Sequence, residues 1–196
     1  MSDTEELMQL VTRERQYRVR HEDAKLAAQY WPDAAVETSW QRGGVQSFVA
    51  HAPAEMDTGL PIITRVCGPV VHQRSATRAY IEVPTISNYW ERLHGKEVVL
   101  TEYMRLLDRA EKRDGIWKLA GMLSIYESDS LAPAIPGTAL TIDPEALKGL
   151  RHPYRFLAYT RLEAGGQISQ ELLGIDQPDA LAAAYQEAEA WAKAGA

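Results

Sequence analysis

The sequence has a single cysteine, Cys67. One thiol excludes an intrachain disulfide and any zinc site built on cysteines. A basic excess is missing too: 21 Lys and Arg stand against 27 Asp and Glu, a formal net charge of -6. A nucleic-acid-binding surface normally shows the opposite balance, so no nucleic-acid partner is expected. No apolar run approaches the ~20 residues that span a bilayer. The first residues, MSDTEELMQL, lack the basic-then-apolar pattern of a secretory signal. No membrane partner is expected, and a cytoplasmic location is. GxGxxG, Walker, HExxH, GxSxG and EF-hand patterns are all absent. The histidines His21, His51, His72, His94 and His152 are scattered, without a His-x3-His or His-x-His pair. No metal and no organic cofactor is therefore expected.

What is present is an ordinary globular composition: 196 residues, 45% hydrophobic and 24% charged, enough for one substantial core. The stretch Lys96–Asp129 organises it. Two long apolar-rich runs flank Arg113-Asp114-Gly115, and Asp-Gly between such runs is a strong hairpin signal, because both residues tolerate positive φ. Strict alternation divides the hairpin into two faces. One collects Leu100, Glu102, Met104, Leu106, Trp117, Leu119, Leu123 and Ile125, almost wholly apolar. The other collects Thr101, Tyr103, Arg105, Leu107, Lys118, Ala120, Met122 and Ser124, and is expected to line something partly wet. Both faces carry large apolar groups. Either the C-terminal stretch or a second copy of the chain must cover what the N-terminal helices do not, and a homodimer through the sheet is expected.

Residues 3–31 read as helical, with a bend near His21-Glu22-Asp23. Leu7, Leu10, Val11, Glu14, Tyr17, Arg18 and His21 fall on one stripe. Pro32 closes this region. A short strand is expected at Ala34–Trp40, a short helix at Val45–His51, a loop at Ala52–Pro61, a strand at Ile62–Gln73 bent at Gly68-Pro69, and another at Ala76–Leu93 with Pro84 marking an edge or kink. After the hairpin, Leu131–Leu140 reads as a linker. Asp143 caps a short helix with Pro144 at its first position. Pro153–Glu163 leans to helix, ended by Gly165-Gly166, and Pro178–Lys193 is a helix with Leu181, Ala184, Tyr185, Ala188, Trp191 and Ala192 on one stripe. Strands grouped after helices indicate an α+β fold.

Two stretches, Arg20–Val36 (RHEDAKLAAQYWPDAAV) and Lys112–Leu119 (KRDGIWKL), taken with the element order, resemble the SnoaL-like branch of the NTF2-like superfamily. The resemblance covers roughly residues 5–135. It implies a domain over 1–135 in which a strongly curved antiparallel sheet forms a cone around the N-terminal helices, with a pocket in its mouth. The segment 136–196, including RHPYRFLAY, is similar to an extension in some bacterial members, mostly helical and packed on the same domain or on a dimer partner. Members include polyketide cyclases, scytalone dehydratase and ketosteroid isomerase, while others only bind or assemble. Several enzymatic members use an Asp on the first helical segment and a His on a following strand. Here those positions fall at Val19 and Arg65, and the pocket Arg of some members falls at Met122, so the dyad is replaced.

The expected cavity gathers Tyr17 and His21, which share a helical stripe four residues apart, Arg65 by the family position, and Tyr103, Arg105, Met122 and Ser124 by hairpin parity. His21, Tyr17 and Arg65 are the candidate catalytic groups, the other four the substrate-binding ones. Two readings stay open. One is a cofactor-independent lyase or isomerase acting on a mostly apolar cyclic or polyketide-like small molecule. The other is a non-catalytic ligand-binding or assembly protein.

Overall fold

In a computed structural model the chain is described over residues 2–50 and 59–195. The elements are α1 (Asp3–Val19), α2 (Asp23–Ala27), β1 (Tyr30–Glu37), β2 (Arg42–Gly44), α3 (Val45–Ala50), β3 (Ile62–Val66), β4 (Val70–Gln73), β5 (Arg78–Leu93), β6 (Lys96–Arg113), β7 (Ile116–Pro133), α4 (Arg155–Glu163) and α5 (Pro178–Lys193). Short 3₁₀ turns at Pro144–Leu147 and His152–Tyr154 precede α4. The loop expected at Ala52–Pro61 lies mostly outside the described residues. Among the described residues no helix is long and apolar enough to cross a membrane.

The fold is α+β. The described strands form one seven-stranded sheet in the order β2-β1-β7-β6-β5-β3, with β4 also paired to β5. β1 runs parallel to β7, and the other neighbours are antiparallel.

Local chemistry explains the boundaries. Ser2 and Glu5 form a reciprocal cap on α1: Glu5 N donates to Ser2 Oγ at 3.3 Å, and Ser2 N to Glu5 Oε2 at 2.8 Å. At the other end Glu22 N donates to Tyr17 O at 3.0 Å and His21 N to Arg18 O at 3.2 Å. This is the Schellman pattern, with His21 in its left-handed position at φ 55°. Asp114 (φ 51°) and Gly115 (φ 78°) make the hairpin turn between β6 and β7, both positive as a type I′ turn requires. A Cβ on Gly115 would touch nothing within 4 Å. Gly115→Ala is therefore expected to cost only the backbone strain, about 1 kcal/mol in urea unfolding; an unchanged unfolding free energy would contradict this.

Two elements differ from the sequence reading. β1 starts at Tyr30, with Pro32 inside it rather than before it. Tyr30 pairs with Leu119 and Ala35 with Gly121, and the register slips between them, where proline offers no donor. The single strand expected at Ile62–Gln73 is two strands. Pro84 on β5 stands opposite the break, where it has no N–H to give and its carbonyl accepts from Cys67 N at 2.8 Å.

The larger departure is in the hairpin faces. Arg109 pairs with Gly121 and Ala110 with Leu119, leaving Ala120 unpaired. Tyr103 pairs with Ser128 and Met104 with Tyr126, leaving Glu127 unpaired. Each β-bulge shifts the alternation by one residue. Met122, Ser124 and Tyr126 consequently share a face with Leu106 and Met104, while Ile125 shares one with Leu107. The inner face packs Ile81, Val83, Leu106, Ala110, Trp117, Leu119 and Met122 against Leu7, Leu10 and Val11 of α1. Farther along, Leu100 and Tyr126 pack against Leu157 and Ala158 of α4. The outer face packs Tyr80, Leu107 and Ile125 against the apolar stripe of α5. The C-terminal stretch, one of the two covers expected for the hairpin, packs on this face.

Candidate functional site

Between α1, the Thr38–Trp40 turn, α3 and the inner face of the sheet lies a cavity of about 250 Å³. Its sheet wall carries Thr64, Ser87, Tyr89, Glu102, Ser124 and Tyr126; its helix wall carries Arg15 and Arg18. Trp40 stacks on the buried Phe48 ring, with centroids 5.6 Å apart and an interplanar angle of 16°, so the half-buried Trp40 gives the cavity an aromatic wall.

Glu102 is the distinctive group. It is 1% exposed. Tyr89 donates its hydroxyl proton to Oε2 at 2.9 Å, and among the described residues Oε1 has no hydrogen-bond partner. Burial pushes its pKa up to about 7; Asp129 and Glu91 add to that, against the Tyr89 hydrogen bond and the charge of Arg161. Burial and the adjacent Glu102 hold the Tyr89 phenol well above its usual range, so it stays a donor. A carboxyl balanced between its two protonation states at neutral pH, with one free oxygen in a cavity wall, can take or give a proton.

On the helix wall Arg15 pairs with Glu14, which also accepts from Tyr30 Oη at 2.8 Å. Arg18 donates to Phe48 O at 2.8 Å. Arg161 of α4 holds the Thr38–Trp40 turn, donating to Ser39 O at 2.9 Å and Ser39 Oγ at 3.1 Å. Among the described residues, no three His, Cys, Asp or Glu side chains gather to hold a metal ion.

Of the seven residues expected from the sequence, His21 and Ser124 line this cavity, His21 exposed at its rim and Ser124 buried. The other five are elsewhere. Tyr17 packs at the edge of the helix-side core beside Arg20 and Lys25. Arg65 is exposed and donates to Thr64 O. Tyr103 is 42% exposed. Arg105 bonds Glu82, Glu127 and Tyr185 beneath α5. Met122 is buried, its sulfur accepting from Arg15 Nη2 at 3.5 Å. The bulge at Ala120 separates Ser124 from Tyr103 and Arg105, which unbroken alternation joins. The groups that sequence reasoning missed are Glu102, Tyr89, Arg15, Arg18 and the stacked pair Trp40–Phe48. Glu102 carried a signal, as a carboxylate alone among Leu100, Met104 and Leu106 on an apolar face.

No known family model matches the chain. It is 31% identical over 132 residues to a PEP2-like protein of the fungus Fusarium vanettenii, covering 66% of this chain and 57% of that protein. It is also 31% identical over 140 residues to pea pathogenicity protein 2 of the same fungus, covering 70% and 60%. The chain thus spans less than two thirds of the length of these curated relatives. Among solved structures it is similar to an NTF2-like protein of unknown function from Pseudomonas putida KT2440, with 19% identity, 74% of this chain and 99% of that one covered, and a TM-score of 0.50. It is similar to LinA, with 16% identity, coverage of 73% and 100%, and a TM-score of 0.50. A Caulobacter vibrioides protein with a cystatin-like fold gives 17% identity, coverage of 62% and 87%, and a TM-score of 0.51. At these identities the likeness is one of fold: the chain has the NTF2-like α+β fold.

Proposed function

We propose that the chain is a small-molecule pocket protein of the SnoaL-like branch, acting as a cofactor-independent lyase or isomerase with Glu102 as its acid–base group. The observation that carries this reading is the Glu102 carboxyl itself, buried in the cavity wall, bonded on one oxygen by Tyr89 and free on the other. In this reading Glu102 removes a proton from a carbon next to a carbonyl of a mostly apolar substrate. The C–H electron pair moves toward the carbonyl oxygen, whose growing charge the hydroxyls of Ser124 and Tyr126 are placed to meet. Glu102 then returns the proton to another atom of the same molecule, or a leaving group departs. The pair Glu102–Tyr89 stands in for the Asp/His dyad whose positions hold Val19 and Arg65.

Two measurements test it. The side-chain carboxyl of Glu102, followed by carbon NMR, is expected to titrate with a midpoint near 7, moving higher in Tyr89→Phe because that hydrogen bond favours the charged form. The protein is also expected to speed deuterium uptake from heavy water into small cyclic ketones, read by mass spectrometry. A midpoint near the ordinary glutamate value, or no catalysed exchange across a panel of ketones, would leave the non-catalytic binding reading in its place.

A further inference from the structure

Arg18 occupies the last turn of α1 and lines the cavity. Its guanidinium carbon lies 4.5 Å from the ring centroid of Phe48 and 5.1 Å from that of Trp40, so a cation sits against the stacked pair at the cavity wall. Arg15, one turn earlier, is neutralised by Glu14. Arg18 is not: among the described residues no carboxylate comes within 4 Å of it. Glu14, already bonded to Arg15, and Asp23, at the same rim, act on it only from farther away. Burial and the neighbouring Arg15 hold its pKa below the usual guanidinium range. A half-buried cation that lacks an anion is poorly solvated by its surroundings, and it gains when an anion arrives. The guanidinium fork is suited to a carboxylate, and among the described residues only Nη1 makes a hydrogen bond, to Phe48 O.

We propose that this cavity takes a small, flat organic acid, its carboxylate paired with Arg18 and its conjugated or aromatic body laid against Trp40. The volume, just under the ~300–1,000 Å³ of drug-sized pockets, sets the size of the molecule. Its reacting carbon would then face the sheet wall that carries Glu102. The inference rests on this cavity being the ligand site, and it does not require turnover.

The test uses two matched probes, 2-naphthoate and the neutral 2-naphthamide, titrated calorimetrically into the full chain. Wild type is expected to bind the carboxylate at least tenfold more tightly than the amide. Arg18→Gln should bring the two within twofold, and Arg18→Lys should keep part of the preference. Glu102→Gln should leave the preference intact or larger, since it removes a like charge from the opposite wall. Equal binding of the two probes by wild type overturns the proposal, and so does a preference that survives Arg18→Gln. Failure of wild type to bind either probe at millimolar concentration overturns it too. Because Arg18→Gln also loses the bond to Phe48 O, its melting curve is checked first. If it does not fold, the wild-type comparison of the two probes decides alone. The acid–base role of Glu102 is read separately, by its titration and by deuterium exchange, so either reading can fail without the other.

Discussion

Glu102→Gln is expected to lower turnover by roughly 10²–10⁴, the usual loss when a general acid or base is removed, and to make the protein more stable in the same stroke. The stability effect follows from linkage. The folded-state pKa of Glu102 is about 7, against an ordinary 4.5. Between those values the folded chain binds more protons than the unfolded chain, so stability falls as pH rises through the window. Below about pH 4.5 the group is neutral in both states and no penalty exists. Above pH 7 the full penalty applies, about 3 kcal/mol at 1.36 kcal/mol per pKa unit. Glutamine keeps the size and the Tyr89 hydrogen bond but carries no charge. The unfolding free energies of the two proteins should therefore coincide near pH 4.5, then separate, with the variant ahead by about 3 kcal/mol at pH 8. Urea unfolding at several pH values checks this. A variant less stable than wild type at pH 8 would mean that the carboxylate is satisfied in the fold and not strained for use, and the acid–base reading would lose its physical basis.

Much of the fold could be read from single residues with strong backbone preferences. Asp114-Gly115 placed the hairpin because few other pairs accept two positive φ values in succession. Asp143-Pro144 marks the start of a helix, and what forms there is only a 3₁₀ turn over Pro144–Leu147, with Asp143 Oδ1 accepting from Glu145 N at 2.9 Å. The stripe of α5 was read residue by residue because a 16-residue helix repeats its pattern several times. The site was less legible, because the face of Ser124 and Tyr126 depends on the bulge at Ala120. A bulge is set by the pairing of distant strands and leaves little mark in the local sequence. The one mark here was Gly121, beside the unpaired Ala120, where an added Cβ would approach Ala35 O to 3.3 Å. Glycine inside a strand is a known sign of a bulge or of close backbone approach. The helix wall carried a second mark. Glu14 and Arg18 fell on the same helical stripe as Leu7, Leu10 and Val11, and charged groups on a stripe that faces a core must pair or serve a ligand. His21 was read for its imidazole, whereas its backbone ends α1 in a left-handed position and its ring only reaches the cavity rim.

Arg15→Met is expected to destabilise the protein by about 3–5 kcal/mol, the cost of breaking a buried ion pair from one side. Glu14 is 0% exposed and Asp108 1%. Arg15 is the cation that both feel: it bonds Glu14 directly, and its charge opposes the burial and the Glu14 repulsion that hold Asp108 well above the carboxylate range. Among the described residues Asp108 Oδ1 already lacks a hydrogen-bond partner. Removing Arg15 leaves Tyr30 Oη as the remaining bond to Glu14, with two carboxyl groups sharing one apolar region. For a domain whose total stability is of order 5–15 kcal/mol, the loss should be plain in urea unfolding. Methionine fills the space beside Met122, so the effect is one of charge more than of volume. The double variant Glu14→Gln with Arg15→Met removes the stranded charge and keeps an acceptor for Tyr30. It is expected to recover most of the loss, because a buried pair replaced on both sides is often close to neutral. A single variant that loses less than about 1 kcal/mol, or a double variant no better than the single, would show that water reaches this pair. In that case the cavity beside it would be wet rather than dry, and the burial that raises Glu102 would have to be weaker than the fold indicates.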